Sequence, residues 1–209
     1  VGLNDLKNTG TISAWFKLGT TASTVDLFRI FGDSNNNIRI FYHATSNELR
    51  FNYKVGGTAN AAVTTDEVEN DGLWHHVAGT WDKDGNAKIY LDGTLKATTS
   101  ISGTFSGGFN SAAIGNNSEG GNYWIGSIDE VSIYNNELSA ANVTTLYNDG
   151  LPYTVAADSG LIGWWRMGDG GIVGDPIATY PAIPDESSNS NNGEMTNMTS
   201  TDFEADVPE

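Results

Sequence analysis

The sequence contains no cysteine, which excludes disulfides, zinc–thiolate centres and thiol nucleophiles together. It is short of positive charge: 10 Lys and Arg against 26 Asp and Glu leave a net charge of −16. A surface of that sign repels phosphate backbones and anionic lipids, so nucleic acid and membrane surfaces are not expected partners. The same charge suits a protein that stays soluble in salt and one that attracts cations. No apolar run reaches the ~20 residues that cross a bilayer, so no membrane insertion is expected. With 38% hydrophobic residues, 6 Trp, 8 Tyr and 8 Phe, the chain is not a disordered acidic tail either. At 209 residues it exposes roughly 9,000 Å² when folded against about 32,000 Å² when open, so it can bury a sizeable core. It begins at Val1 without initiator Met or signal peptide, and we expect a processed chain or a fragment.

What the chain does have is turn chemistry. Its 25 glycines, with abundant Asn, Ser and Thr, punctuate short apolar runs, as in a many-stranded antiparallel protein. Residues 11–18 alternate strictly, with Ile12, Ala14, Phe16 and Leu18 on one face and Thr11, Ser13, Trp15 and Lys17 on the other. Runs 25–31 and 37–43 flank the turn-rich 32–36, and 48–55 alternates again before Gly56-Gly57. Strands 73–81, 87–91 and 95–100 are joined by Asp84-Gly85 and Asp92-Gly93, dipeptides that favour tight hairpins because Gly accepts positive φ. Runs 112–114 and 123–134 complete this stretch. One short helix follows: Ser139 is the N-cap, Val143, Leu146 and Tyr147 recur at helical spacing, and Gly150 is the C′ residue. Residues 151–160 read as a linker and 161–167 as a further strand. The pattern predicts an all-β, two-sheet antiparallel sandwich with one short helix, either jelly roll or immunoglobulin-like.

Two segments choose between these. Trp74-His75-His76-Val77-Ala78-Gly79-Thr80-Trp81-Asp82, followed by Ala87-Lys88-Ile89-Tyr90-Leu91-Asp92-Gly93, resembles the central signature of the laminin-G-like, concanavalin A-like jelly-roll family. Gly126-Ser127-Ile128-Asp129-Glu130-Val131-Ser132-Ile133-Tyr134-Asn135, then Leu138-Ser139, resembles that family's closing strand and helix, and Thr11-Ile12-Ser13-Ala14-Trp15-Phe16 its early core strand. The resemblance covers most of residues 1–150 and implies a concanavalin A-like jelly roll. It implies far less about activity, because the fold hosts lectins, adhesion modules, glucanases and lyases. Leu161-Ile162-Gly163-Trp164-Trp165-Arg166 and the 185–193 loop resemble the family's opening strand and Asp/Asn-rich loop, here placed after the helix. Residues 161–209 are therefore expected either to complete the sandwich of 1–150 in permuted order, filling an edge that would otherwise invite aggregation, or to begin a next repeat. The 164–170 and 195–198 segments resemble laminin-G-like modules of marine tailed-phage structural proteins. That implies a virion-surface location, with a secreted bacterial adhesin as the alternative.

Candidate chemistry follows from residue type and phase. Asp129 and Glu130 are adjacent carboxylates, whereas retaining glycoside hydrolysis needs a pair about 5–5.5 Å apart on one side of the sugar. Neighbours on a strand point to opposite faces, so without a bulge this pair cannot share a cleft, and no catalytic residue is assigned. The resemblance implies instead a structural calcium site, with Asp129 and Asp185 as ligands and Asn189 and Asn191 matching in type. Several oxygens at 2.3–2.6 Å are what a hard cation takes. The Asp33–Asn37 oxygens read as a hairpin turn. His75 and His76 face opposite ways on one strand, one a core histidine and the other half-exposed. There is no G-x-S-x-G elbow and no phosphate-cradling Gly loop. For glycan recognition the candidates are Tyr123 and Trp124, beside Asn116, Asn117, Ser118 and Asn122: aromatic rings on which a sugar stacks and amides that bond its hydroxyls. On that reading Trp124→Ala abolishes glycan binding and leaves the melting temperature nearly unchanged. The expected function is a non-catalytic recognition or adhesion module, extracellular or on a virion surface, engaging a carbohydrate or surface-protein ligand. The alternatives are an architectural decoration or spacer among identical or virion-protein neighbours, and a polysaccharide-cleaving enzyme.

Overall fold

The computed structural model describes residues 2–64, 68, 71–117, 119–155, 159–167, 182–194 and 208. Its strands are β1 (Thr9–Leu18), β2 (Val25–Asp33), β3 (Asn36–His43), β4 (Glu48–Val55), β5 (Thr58–Val63), β6 (His75–Asp82), β7 (Asn86–Leu91), β8 (Thr94–Ser100), β9 (Ser111–Ile114), β10 (Gly126–Tyr134) and β11 (Leu161–Trp165), with a single α-helix among the described residues, α1 (Ala140–Tyr147). A short pair, β12 (Ala182–Ile183) and β13 (Gly193–Glu194), lies near the C-terminus. One antiparallel sheet runs β11-β10-β1-β6-β7-β8 and the other β5-β4-β3-β2-β9.

Period-two alternation sets the layers. On β1, Ile12, Ala14, Phe16 and Leu18 enter the core between the sheets, where they meet Ile30, Ile38, Ile40 and Phe51 of the opposite sheet. Trp81 is fully buried there and donates its indole N–H to the Leu6 carbonyl. The sheets approach so closely that a Cβ on Gly79 would lie 2.4 Å from the Phe51 ring. Asp92 and Gly93 both take positive φ between β7 and β8, the conformation a two-residue hairpin needs. At the other Asp-Gly the turn closes one step earlier, Gly85 donating its N–H to the Asp82 carbonyl at 2.9 Å. Ser139 caps α1 by accepting the Asn142 N–H, while Asn148, not Gly150, is the first left-handed residue after it.

α1 and the chain after it cover the outer face of the six-stranded sheet. Leu138, Val143, Leu146 and Val155 pack there on Ala78, Tyr90, Tyr134 and Trp164. Val155 belongs to the segment read as a linker, of which residues 156–158 lie outside the described residues. β11 then pairs antiparallel with β10, Ser132 opposite Trp164 and Ile133 opposite Gly163. Of the C-terminal segment read from sequence, residues 168–181, 195–207 and 209 lie outside the described residues. The outer face of the five-stranded sheet carries a different surface.

Candidate functional site

Alternate residues of β2, β3 and β4 point outward from the five-stranded sheet, and among them are Arg29, Arg39 and Arg50, three of the chain's four arginines. Register places them side by side: Arg29 is directly opposite Arg39, Arg39 opposite Asn52, and Phe41 opposite Arg50. Phe rings support two of the guanidiniums, with Arg39 3.9 Å from the Phe41 centroid and Arg29 4.6 Å from that of Phe31, a favourable stacking arrangement. Carboxylates at the border anchor them. Arg39 donates to fully buried Asp26 at 3.2 Å, Arg50 to Glu48 at 3.0 Å, and Arg29 lies 3.8 Å from Glu119. Even so, the Nε of each arginine and the Oδ1 of Asn52 are buried without a hydrogen-bond partner. Burial lowers the Arg39 pKa from its ordinary value and the charges of Arg29 and Arg50 push the same way, against Asp26.

The loop between β9 and β10 borders this face. Asn122 donates its side-chain N–H to Asp26 at 3.1 Å and accepts the Asp26 backbone N–H, so the loop and Arg39 share one buried carboxylate. Asn117 holds the loop's own turn, its Oδ1 accepting N–H groups from Glu119 and Gly121. Asn116 is half-buried, and Ser118 lies outside the described residues. Tyr123 is 51% exposed. Trp124 is not a rim platform: it turns inward, edge-on to Phe16 at 5.7 Å, and packs against the main core.

The four residues with a calcium assignment lie at the opposite sheet, around β11. Asp185 accepts backbone N–H groups from Trp164, Ser187 and Asn191 at 2.8, 2.9 and 2.7 Å. Burial works to raise its pKa, but these N–H groups hold it below the ordinary carboxylate value. Asn189 and Asn191 donate side-chain N–H groups to the Leu161 and Ile162 carbonyls. The Trp164 carbonyl accepts from Glu186, so both polar groups of Trp164 point away from β10 and the loop sits on the far side of β11. Asp129 is on β10, its Oδ1 accepting the Glu130 N–H. Asp185, Asn189 and Asn191 thus latch their loop to β11 by hydrogen bonds. Among the described residues no three His, Cys, Asp or Glu side chains cluster as a metal site.

The family profile described as the concanavalin A-like lectin/glucanases superfamily matches residues 2–144. The chain belongs to this superfamily. Among solved structures it is similar to a Bacteroides ovatus protein assigned to carbohydrate binding, 17% identical with a TM-score of 0.64, over 90% of this chain and 51% of that one. It is also similar to Domain 4 of AbnA, a GH43 extracellular arabinanase from Geobacillus stearothermophilus, in complex with arabinotriose, 26% identical with a TM-score of 0.58, over 67% of this chain and 66% of that one. A third is the CBM40 of the Ruminococcus gnavus IT-sialidase bound to α2,3-sialyllactose, 16% identical with a TM-score of 0.56, over 67% of this chain and 83% of that one. The chain spans about half the length of the Bacteroides protein. No curated protein sequence matches it.

Because the superfamily includes glucanases, the Asp129–Glu130 pair needs its geometry. Glu130 has φ 48 and β10 gains one residue on β1 between Ser13 and Trp15. This is a bulge, and it puts both carboxylates on the outer face, where strict alternation would separate them. The bulge does not open a cleft. Glu130 is 7% exposed and accepts from the Trp164 indole and from Arg166 at 3.0 Å. It lines a cavity of about 10 Å³ with Ser13, His76 and Ser132 beneath α1, room for one water and not for a sugar ring. His76 is the core histidine, bonded to Ser13 at 2.7 Å, and His75 the half-buried one, between Asp92 and Asp71.

The arginine row escaped the sequence reading, yet its signal is there. Phe28-Arg29-Ile30-Phe31 and Ile38-Arg39-Ile40-Phe41 share one phase, and Arg50 opens a third alternating run. In so acidic a chain, three cations in the outward phase of consecutive strands mark a surface.

Proposed function

We propose that this protein is a non-catalytic carbohydrate-binding module that works outside the cell, on a secreted or virion surface, and takes its ligand on the outer face of the five-stranded sheet and the loop beside it. The carrying observation is the composition of that face: planar cationic donors laid on phenyl rings, and exposed Tyr123 at the border. Sugar sites combine such elements, an apolar ring for the sugar face and fixed polar groups for its hydroxyls. Support also comes from similar structures that hold arabinotriose and sialyllactose. No described helix is long and apolar enough to cross a membrane. In this reading residues 161–167 and 182–194 belong to the same module, since β11 extends the sheet begun by 1–150 and the 185–193 loop bonds to it.

The test is a glycan array probed with the labelled full chain. Saccharide signal that falls on Tyr123→Ala, with an unchanged melting temperature, is the expected result. A blank array from a chain that forms symmetric assemblies would favour the architectural role instead.

A further inference from the structure

We propose that the ligand is an acidic saccharide whose carboxylate is held by the arginine row, Arg29, Arg39 and Arg50. This rests on the carbohydrate reading and narrows it to a chemical class.

The argument starts from cost. Like charges directly opposite across a sheet destabilise it, and Arg29 faces Arg39 in that way. Buried polar atoms are nearly always hydrogen-bonded, yet of the seven unpartnered side-chain atoms among the described residues, four are on this face: three arginine Nε and Asn52 Oδ1. Both penalties fall on one surface of a protein with few cations to place. Local violations of this kind concentrate where a surface has work to do.

The ligand's chemistry follows from what is offered. Phe31 and Phe41 hold the guanidinium planes ready, and a planar fork of N–H donors matches a carboxylate. Arg39 and Arg50 side chains are 24% and 30% exposed, so a ligand reaches their outer nitrogens. Asn52 is 8% exposed. It lies directly across from Arg39, with its amide oxygen buried under this face. A carboxylate carried on a saccharide ring describes a uronic or sialic acid. A long polyanion such as nucleic acid would instead extend over the rest of an acidic surface and be repelled.

Calorimetric titration of the full chain tests this with sialyllactose and oligogalacturonate, against neutral lactose and arabinotriose, a sulfated galactan oligosaccharide and polyglutamate. Arg50→Gln and Arg29→Gln are the main variants, because Arg39→Gln would strand buried Asp26 and threaten the fold. The expected result is binding of a carboxylated sugar over its neutral counterpart, weakened roughly ten- to a hundredfold by either substitution, with the melting temperature not lowered. Neutral sugars bound as well, without regard to the arginines, would overturn the acidic class and leave the carbohydrate reading standing. Preference for the sulfated sugar would overturn the carboxylate. Silence towards every saccharide, with or without capture of polyglutamate, would overturn both readings.

Discussion

His76 lies under α1 with one ring nitrogen on Ser13 and the other unpartnered, and burial pushes its pKa down to about 4. The unfolded chain protonates this histidine near pH 6.5. Its contribution is therefore intact above that pH and is lost as pH falls from about 6.5 to about 4, some 3 kcal/mol in all. His75, its neighbour, has the opposite sign. The hydrogen bond to Asp92 raises its pKa, so its contribution is present below 6.5 and disappears as pH rises through the raised value. Melting curves across pH should show His76→Gln flattening the acid slope and His75→Gln costing more at pH 6 than at pH 9. An acid slope unchanged in His76→Gln would refute the first. The same scale holds the Trp124 correction. The sequence placed both loop aromatics outside, but alternation runs through them: Tyr123 and Ile125 are exposed and Trp124 between them packs on Phe16. Trp124→Ala should therefore cost about 3 kcal/mol, whereas Tyr123→Ala should stay within about 0.5 kcal/mol. Equal melting temperatures for the two variants would contradict this.

Among the elements, strands with strong alternation were legible and weak ones were not. β1, β3 and β4 spell their faces in apolar residues, while β5, Thr-Ala-Asn-Ala-Ala-Val, carries β-branched side chains only at its two ends. It is a strand because β4 pairs with it and because Ala62 meets the core. The bulge on β10 was equally hidden, since Glu130 takes a conformation usually given to Gly or Asn, and only the register against β1 reveals it. β11 was legible by its motif, but its partner strand was not. Ile162 and Trp165 enter the main core and Trp164 the outer cluster, and at about 2 kcal/mol each these contribute about 6 kcal/mol. That is comparable with the whole stability of a typical domain. A chain ending at Gly150 should therefore be insoluble or molten, its β10 edge uncovered. A soluble, cooperatively melting 1–150 fragment would show that the later strands are dispensable. At the sheet interface, Gly79→Ala should cost about 1–3 kcal/mol by forcing Phe51 aside, read from denaturant midpoints.

For the molecule as a whole, charge is divided unequally, with −16 overall and three of four arginines on one sheet face. Composition made the acidity plain, but only strand register shows the cations together, because they are 10 and 11 positions apart in the chain. This division has a kinetic consequence for an acidic ligand. Far from the protein the ligand meets the net charge and is repelled; at the face it meets the arginines. Raising ionic strength from about 0.01 M to 0.15 M shortens the screening length from about 30 Å to about 8 Å. The long-range repulsion is then largely removed, while pairs at the half-buried arginines are screened much less. Association of an oligogalacturonate should thus speed up with salt over this range, with dissociation changing little. A cationic lectin does the reverse, losing on-rate as steering is screened. Surface-plasmon or stopped-flow rates at several salt concentrations decide it, and an on-rate that falls steadily with salt would mean that the arginine face, not the net charge, governs the approach.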